Sequence, residues 1–120
     1  MDPTQIATEF TNYYYNLFCT AREQLKPLYR DQSMLTFEGQ PFQGANNIIE
    51  KLTSLPFQRV QHKVDTVDAQ PNFNGGIFVC VTGALQSDND QPQRFAQFFQ
   101  LIPDGTSYYV LNDIFRLNYG

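Results

Sequence analysis

Few side chains in this sequence have the types and spacing that catalysis requires. The sequence contains one histidine, His62, and two cysteines, Cys19 and Cys80, which lie far apart. A hydrolytic triad needs a nucleophile, a base and a group that orients the base, and a structural zinc site takes closely spaced Cys and His ligands. One histidine and two separated cysteines supply neither arrangement. The sequence therefore disfavours nucleophilic and metal-assisted chemistry.

Two carboxylates remain as candidates for acid–base chemistry. Glu38 follows Phe37 at the end of an alternating stretch, and Asp113 lies inside the apolar segment "LNDIF". A carboxyl group in an apolar pocket has a raised pKa and can exchange protons near neutral pH. Each also has a structural interpretation: Asp113 can bond backbone groups at a β-bulge, and Glu38 can be the solvated end of a strand. His62 can likewise be a sheet histidine whose ring nitrogens have a backbone or carboxylate partner.

The distribution of charge narrows the class of partner. Twelve acidic and eight basic residues give a net charge of −4, and the basic residues are scattered singly along the chain. Nucleic acid requires a clustered positive surface that displaces counterions from phosphates. The sequence therefore disfavours nucleic acid and favours a basic protein partner, which a mildly acidic surface attracts over long range.

Length and composition predict one domain over residues 1–120. A chain of 120 residues can bury one substantial core, and eleven Phe and seven Tyr without Trp predict a core built largely of rings. The two cysteines form no disulfide framework, and free thiols fit a reducing compartment. The first ten residues lack a signal pattern, and nowhere do eighteen apolar residues run together. We therefore expect a cytosolic or nuclear protein with no membrane partner.

Three helices are predicted in the first half of the chain. Asp2 and Pro3 favour a helix start, because Asp can accept free N–H groups and Pro needs no N–H partner there. Thr20 and Glu23 have the spacing of a capping box and predict a short second helix, whose inward side consists of Leu25, Leu28 and Tyr29. The segment "ANNIIEKLTSL" predicts a third. The apolar face predicted for the first helix consists of Ile6, Phe10, Tyr13, Tyr14 and Leu17.

A strand is predicted in "SMLTF", ended by Gly39 and Pro41. Further strands are predicted throughout the second half, where the apolar period changes to two. Four alternating segments follow from Val60 onward, separated by the turn-rich stretches "PNFNGG", "SDNDQPQ" and "PDGT". Helices followed by neighbouring strands with short turns predict an α+β fold. In this fold, a curved antiparallel sheet receives the three N-terminal helices on one face.

Several segments resemble the nuclear transport factor 2 family. They are "YYNLF", "LYRDQSMLTFEGQPFQG", "IIEKLTSLPFQRVQHKV", "DAQP", "RFAQFFQLIPDG" and "YYVLNDIFRLNY", and they cover nearly the whole length. The resemblance implies a cone-like α+β fold around an apolar cavity, paired through the sheets into a homodimer. It also implies a non-enzymatic carrier without a cofactor. Such a carrier binds GDP-bound Ran and Phe-rich nucleoporin repeats, and is found in the cytoplasm, in the nucleus and at the nuclear pore.

The resemblance implies a partner site at the mouth of the cavity. An aromatic side chain of Ran would enter the cavity, and basic side chains of Ran would meet an acidic rim. The residues implied to line or close the cavity are Phe37, Leu55, Val60, Phe98 and Phe115. The residues implied for the rim are Glu38, Asp88 and Asp90, with Arg59 and His62 nearby.

Two positions depart from the family pattern. Pro3 stands where members that bind nucleoporin repeats carry an aromatic residue, so the nucleoporin site is implied by position alone at Pro3, Thr4 and Ile6. Phe37 stands where the cavity mouth often carries tryptophan. This replacement preserves apolar contact and removes an N–H donor.

Two other functions fit parts of the sequence. The same fold houses isomerases and dehydratases that act on small molecules, and fold alone does not decide between these functions. A catalytic cavity needs convergent polar groups deep inside, whereas the implied lining is apolar with carboxylates only at the mouth. A bare dimerisation module of a scaffold protein is the third possibility, which the expectation of a sequence complete at both ends disfavours.

Overall fold

The computed structural model describes residues 2–56, 60–88 and 90–118, which form the α+β fold that the sequence predicts. The elements are α1 (Pro3–Thr20), a 3₁₀ helix (Arg22–Leu28), β1 (Tyr29–Phe37), β2 (Gln40–Gln43), α2 (Ala45–Thr53), β3 (Val60–Pro71), a 3₁₀ turn (Phe73–Gly75), β4 (Ile77–Ser87), β5 (Gln93–Asp104) and β6 (Ser107–Leu117). Three helices thus pack against a curved, unclosed sheet.

Helix α1 begins as predicted, but its buried face differs from the predicted one. Oδ1 of Asp2 accepts a hydrogen bond from the N–H of Gln5 at 2.8 Å, and Pro3 occupies the first turn. Tyr13 is 54% exposed, so its predicted place in the core is wrong. The buried residues of α1 are Ala7, Thr11, Tyr14, Tyr15 and Phe18. Two of these are small or polar and carry little hydrophobic signal, which is why the pattern indicated a neighbouring face.

The second helix is present, but the predicted capping box is wrong. Thr20 is the last residue of α1, and its Oγ1 donates to the carbonyl oxygen of Asn16 at 2.8 Å. The segment Arg22–Leu28 is a 3₁₀ helix without a side-chain cap. Pro27 lies inside it, and proline lacks the N–H that a longer α-helix requires.

The strand order in the sheet is β2-β1-β6-β5-β4-β3. Strands β3 to β6 form the predicted antiparallel meander. The sequence did not predict that β1 pairs with β6 in parallel, or that β2 extends the sheet beyond β1. The parallel pair of β1 and β6 joins segments that are far apart in the sequence, so no local turn residues predict it.

A bulge in β3 bends the sheet at the place where a glycine faces it. The register between β3 and β4 shifts between Val64 and Thr66. An extra residue in one strand bends that strand and increases its twist. A Cβ at Gly83 would overlap the carbonyl oxygen of Lys63, so glycine allows the two backbones to approach here.

A second bulge changes which side chains of β6 face the concave side. Val110 pairs with Leu101 and Asn112 pairs with Gln100, so Leu111 is an extra residue without a partner of its own. The side-chain period of a strand is two, and one extra residue therefore exchanges the two faces beyond it. The residues of β6 that face the concave side after the bulge are Asp113, Phe115 and Leu117.

Candidate functional site: an apolar cavity with a polar inner end

A cavity of about 130 Å³ lies between the concave face of the sheet and the helices. Its wall is mostly apolar. Four of the five predicted cavity residues line it: Phe37, Leu55, Val60 and Phe115. The other lining residues are Tyr14, Phe18, Leu35, Leu52, His62, Leu85, Ser87, Gln93, Gln97, Asp113 and Leu117.

The topology gathers the predicted rim carboxylates at one end of the sheet. Strands β1, β4 and β6 end there, and β3 and β5 begin there. Glu38 follows β1, while Asp88 and Asp90 lie between β4 and β5. Arg59, which directly precedes β3, is outside the described residues. The three carboxylates therefore share the end of the sheet where the cavity has its mouth.

Stacked rings form one side of the mouth. Phe37 and Phe115 are stacked with their centroids 4.8 Å apart and their planes at 14°. Phe115 lies 5.9 Å from Phe95, and Nζ of Lys51 lies 5.3 Å from the centroid of Phe37. This wall presents ring faces and edges, which suit contact with another aromatic side chain.

Glu38 belongs to a hairpin turn, so its interpretation as a solvated strand end is wrong. Glu38 and Gly39 connect β1 to β2 with φ of +51° and +87°, the left-handed region that a type I′ turn uses at both positions. The N–H of Glu38 donates to the carbonyl oxygen of Phe115 at 3.0 Å. Oε1 of Glu38 accepts a hydrogen bond from the N–H of Leu117. The half-buried carboxylate thus ties the hairpin to the end of β6.

Asp88 and Asp90 are exposed in the turn between β4 and β5. Asp88 has a φ of +50°. The N–H of Asp90 donates to the carbonyl oxygen of Ser87 at 2.9 Å, and Oγ of Ser87 donates to the Asp90 carboxylate at 3.3 Å. Since Ser87 also lines the cavity, these bonds hold the Asp90 carboxylate beside the mouth.

His62 lies in the cavity wall, and its implied place on the rim is therefore wrong. Its ring stacks on Tyr15 at 4.2 Å and meets Phe18 and Phe95 edge-on at 5.3 and 5.5 Å. Nδ1 lies 3.9 Å from Sγ of Cys19. Burial lowers the pKa of His62 from 6.5 to about 4, so the ring is neutral at pH 7. A neutral imidazole inside an aromatic cluster offers no charge to a partner.

The inner end of the cavity contains a buried hydrogen-bond network centred on Asp113, which is 1% exposed. Nε2 of Gln97 donates to its Oδ1 at 2.8 Å, and the hydroxyl of Tyr29 donates to its Oδ2 at 2.7 Å. The hydroxyls of Tyr14 and Tyr29 are 2.7 Å apart, and that of Tyr15 donates to Oε1 of Gln97 at 2.6 Å. The expectation that carboxylates lie only at the mouth is therefore wrong.

Burial sets the protonation of this network. It raises the pKa of Asp113 from 3.8 to about 6, and the hydrogen bonds from Gln97, Tyr29 and Tyr14 oppose that rise. Burial also raises the pKa of Tyr14, Tyr15 and Tyr29 well above the ordinary value. At pH 7 the carboxyl group is therefore mostly ionised among neutral tyrosines. Asp113 bonds side chains here, whereas the bulge of β6 lies two residues earlier.

Phe98 lies on the outer face of the sheet, so its predicted place in the cavity is wrong. It is 50% exposed, and its neighbours Gln97 and Phe99 are the residues that face inward. Phe78 and Ile114, which are 51% and 47% exposed, lie on the same outer face. Strand alternation decides this placement, because successive side chains point to opposite sides.

The residues implied for nucleoporin binding lie in the first turns of α1. Thr4 is exposed, and Pro3 and Ile6 are half-buried. The cavity residues of this helix, Tyr14 and Phe18, lie toward its other end. At a rise of about 1.5 Å per residue, Ile6 and Tyr14 are roughly 12 Å apart along the helix, and Thr4 and Phe18 are roughly 20 Å apart. The implied nucleoporin residues therefore lie at least about two helical turns from the cavity residues of α1.

Sequence reasoning missed most members of the network around Asp113. Tyr15 carried no signal, because it lies beside the predicted helix face, and Tyr29 was assigned to a helix although it opens β1. The position of Gln97 could have been inferred from the sequence, because it alternates with Phe95 and Phe99 and therefore lies on the same, inward face of β5. A polar residue in an inward phase indicates a buried hydrogen bond.

Within residues 2–56, 60–88 and 90–118, no helix is long and apolar enough to cross a membrane. In the same part of the chain, no group of three His, Cys, Asp or Glu side chains could hold a metal ion.

Fold and cavity together define a cone-like α+β protein, in which a curved, unclosed sheet and its helices enclose a mostly apolar cavity. The model of the nuclear transport factor 2 (NTF2) domain matches residues 6–117, and the chain belongs to this family.

Relatives and solved structures agree with this assignment. Nuclear transport factor 2 of Saccharomyces cerevisiae is 60% identical over 121 residues, covering 99% of this chain and 97% of that protein. The structure of nuclear transport factor 2 from Cryptosporidium parvum superposes with a TM-score of 0.92 at 48% identity, covering 95% and 93% of the two chains. The Mtr2–Mex67 M domain complex of C. albicans, with a TM-score of 0.85 at 16% identity over 97% and 94%, shares the fold alone. The names of the two closer relatives support a role in nuclear transport.

Proposed function

We propose that this chain is a non-enzymatic nucleocytoplasmic carrier that binds GDP-bound Ran and Phe-rich nucleoporin repeats. Family membership supports the transport role. The observation that carries the choice of binding site is the cavity mouth, where stacked Phe37 and Phe115 lie at the same end of the sheet as Glu38, Asp88 and Asp90. The match over residues 6–117 supports one domain over residues 1–120.

The proposed mode of binding combines an apolar anchor with oriented charges. Burying one aromatic side chain of the partner contributes roughly 1.5–3 kcal/mol. Hydrogen bonds between rim carboxylates and basic side chains of the partner add roughly 1.5–3 kcal/mol each where the rim becomes dry. Such an arrangement is typical of a binding hot spot. An acidic rim also selects against acidic partners.

Glu38 provides the test of this site. We expect Glu38→Lys to weaken binding of GDP-bound Ran by about 2–5 kcal/mol, or roughly 30-fold or more, because attraction becomes repulsion. Glu38→Gln is the matched control: it keeps an oxygen for the N–H of Leu117 and removes only the charge, so we expect a loss of roughly tenfold. Titration calorimetry measures both variants.

The two variants also separate folding from binding. Because Glu38 accepts a hydrogen bond from Leu117, Glu38→Lys should lower the unfolding temperature, whereas Glu38→Gln should leave it nearly unchanged. Unchanged affinity in both folded variants would mean that Ran docks elsewhere. Ran loaded with GTP is the specificity control, and binding to neither nucleotide form would contradict the carrier function.

We further propose that two copies pair through the outer faces of their sheets and that nucleoporin repeats bind near Pro3, Thr4 and Ile6. The exposed rings on the outer face support the dimer, since large apolar patches usually mark protein contacts. The placement of the nucleoporin site rests on position in the family alone. In this proposal the carrier is found in the cytoplasm, in the nucleus and at the nuclear pore.

A small-molecule isomerase or dehydratase is the second candidate. The observation in its favour is Asp113, a carboxylate at the inner end of a cavity with a pKa raised by burial to about 6. The names of the close relatives favour the carrier instead. Turnover of a small cyclic ketone or alcohol by the purified protein, abolished by Asp113→Asn, would support the enzyme.

A further inference from the structure

The polar inner end of the cavity has a defined direction of hydrogen bonding. The hydroxyl of Tyr29 has one proton and donates it to Oδ2 of Asp113 at 2.7 Å, so the 2.7 Å contact between the hydroxyls of Tyr14 and Tyr29 requires Tyr14 as donor. The same Tyr14 hydroxyl also lies 3.4 Å from Oδ2 of Asp113, where its one proton makes a weaker second contact. The hydroxyl of Tyr15 donates to Oε1 of Gln97. All three phenolic protons of the network are therefore in use.

The hydrogen-bonding capacity that remains is mainly for accepting. A carboxylate has about four acceptor positions, and Oδ1 of Asp113 accepts one bond, from Nε2 of Gln97 at 2.8 Å. The amide of Gln97 has a second N–H beyond the one it donates to Asp113. A group that enters this end of the cavity must therefore donate a proton to Asp113, and it can accept one bond from Gln97.

The volume and walls of the cavity define the rest of the ligand. About 130 Å³ is close to the roughly 150 Å³ of an engineered apolar cavity that binds benzene, which is room for a single six-membered ring. Leu35, Leu52 and Phe115 line it with apolar surface. A carboxylate ligand is excluded because Asp113 would repel it. An ammonium group would be attracted by Asp113, but it is disfavoured because its charge loses its hydration in a mostly apolar cavity.

We infer that the cavity binds a small phenol, whose ring fills the apolar part and whose hydroxyl donates to Asp113 and accepts from Gln97. A phenolic hydroxyl has the required single donor and its own lone pairs. Since the volume holds one ring, phenol and an aromatic side chain of a partner protein cannot occupy the cavity together. This exclusion rests on the proposed function, whereas phenol binding itself does not.

The test titrates the unmodified protein with three ligands of similar size and follows its ¹⁵N-resolved NMR spectrum. We expect phenol to bind at least about tenfold more tightly than toluene, a ratio that corresponds to about 1.4 kcal/mol. Anisole, which accepts but does not donate, should bind no more tightly than toluene. Equal affinity for phenol and toluene, or no shift at Gln97 and Asp113, would overturn the inference.

Two variants locate the hydroxyl. Asp113→Asn replaces a carboxylate oxygen by an amide, and we expect the preference for phenol over toluene to fall below about threefold. Asn112→Ala alters the outward neighbour in β6 and should leave that preference unchanged. An unchanged preference in folded Asp113→Asn would overturn the proposed geometry. If Asp113→Asn does not fold, the ligand series on the unmodified protein still decides.

A competition arm separates this inference from the proposed function. Calorimetry with GDP-bound Ran is repeated in saturating phenol, and we expect a loss of apparent affinity of at least about tenfold. Phenol that binds without competing would leave the phenol site standing and would contradict entry of a Ran side chain into the cavity. Absence of phenol binding together with normal Ran binding would overturn the phenol site alone.

Discussion

Each face of strands β5 and β6 carries residues whose polarity is the opposite of what that face usually holds. Toward the cavity, Gln97 is 4% exposed and Asp113 is 1% exposed. Toward the outside, Phe98 and Ile114 are 50% and 47% exposed. A sheet that had only to cover its own core would place these residue types the other way round.

The reversal has a different cause on each face. On the inner face, the polar groups are acceptable because tyrosines satisfy them, and their hydrogen bonds fix the inner wall of the cavity. On the outer face, the exposed rings gain nothing in an isolated chain, so they indicate a surface that another protein covers. The buried polar residues on the inner face and the exposed apolar residues on the outer face thus mark two separate candidate sites on one sheet.

The largest effect is expected on the outer face. If two sheets pair there, Phe98→Glu should raise the dimer dissociation constant by roughly 1000-fold, since each copy loses about 2 kcal/mol of ring burial and the interface contains the residue twice. Sedimentation should then show a species near 13.8 kDa where the unmodified protein shows twice that mass.

Phe73→Glu is the control, because Phe73 is 86% exposed in the turn between β3 and β4, away from the strand positions of the proposed interface. It should leave the dimer intact. A Phe98→Glu variant that dimerises as tightly as the unmodified protein would mean that the outer face has another partner.

The next effect is expected on the inner face. Tyr29→Phe removes the hydroxyl that donates to the Asp113 carboxylate, and such charge-assisted bonds are worth roughly 1.5–3 kcal/mol. We expect the free energy of unfolding in urea at pH 7 to fall by about that amount. The matched variant Tyr109→Phe removes an exposed hydroxyl that accepts a 3.3 Å bond from Gln32 and should cost under about 0.5 kcal/mol. Equal costs for both variants would contradict the network.

The smallest effect is expected in the pH dependence of the unmodified protein, because two buried groups oppose each other. The raised pKa of Asp113 keeps its proton bound in the native state, so its contribution to stability falls as pH rises from about 4 to 6. The pKa of His62 is lowered in the native state, so between about pH 4 and 6.5 the unfolded chain binds the His62 proton and the native state does not. The contribution of His62 to stability therefore rises as the pH rises through this range. Each shift corresponds to about 3 kcal/mol, and the two cancel to within about 1 kcal/mol.

Variants that remove one group at a time should separate the contributions of Asp113 and His62 to the pH dependence of stability. In Asp113→Asn the stability should rise by about 3 kcal/mol from pH 4 to 6.5, and in His62→Gln it should fall by a similar amount from pH 4 to 6. Urea unfolding at several pH values measures both slopes. Parallel profiles for the three proteins would mean that neither group titrates with the shifted pKa.

Local patterns predicted the elements whose causes are local. The start at Asp2 and Pro3, the third helix and the β3–β6 meander follow from capping groups, helical spacing and turn residues. The β1–β6 pair could not be predicted in this way, because parallel pairing depends on contacts between opposite ends of the chain. The short strand β2 was missed because Gly39 and Pro41 suggested an end where a tight hairpin forms.

The candidate site was predicted at its mouth and missed at its inner end. The rings of Phe37 and Phe115 and the loop carboxylates were identified through family resemblance, which carries residue positions but not side-chain environments. His62 and Phe98 were therefore assigned by position and misplaced. The network around Asp113 joins α1, β1, β5 and β6, so only the folded chain brings its members together.

The bulge at Leu111 determines which changes in chain length the lining of the cavity tolerates. Loss of Leu111 itself would give plain alternation in which Val110 faces inward, Asn112 outward and Asp113 inward, so the lining would be preserved. With Leu111 present, Val110 and Asp113 face the same side only because of the bulge. A strand of the present length without the bulge would turn Asn112, Ile114 and Arg116 toward the cavity. Relatives that lack one residue at this point can therefore keep the same cavity, so the length of β6 has to be compared together with its bulge.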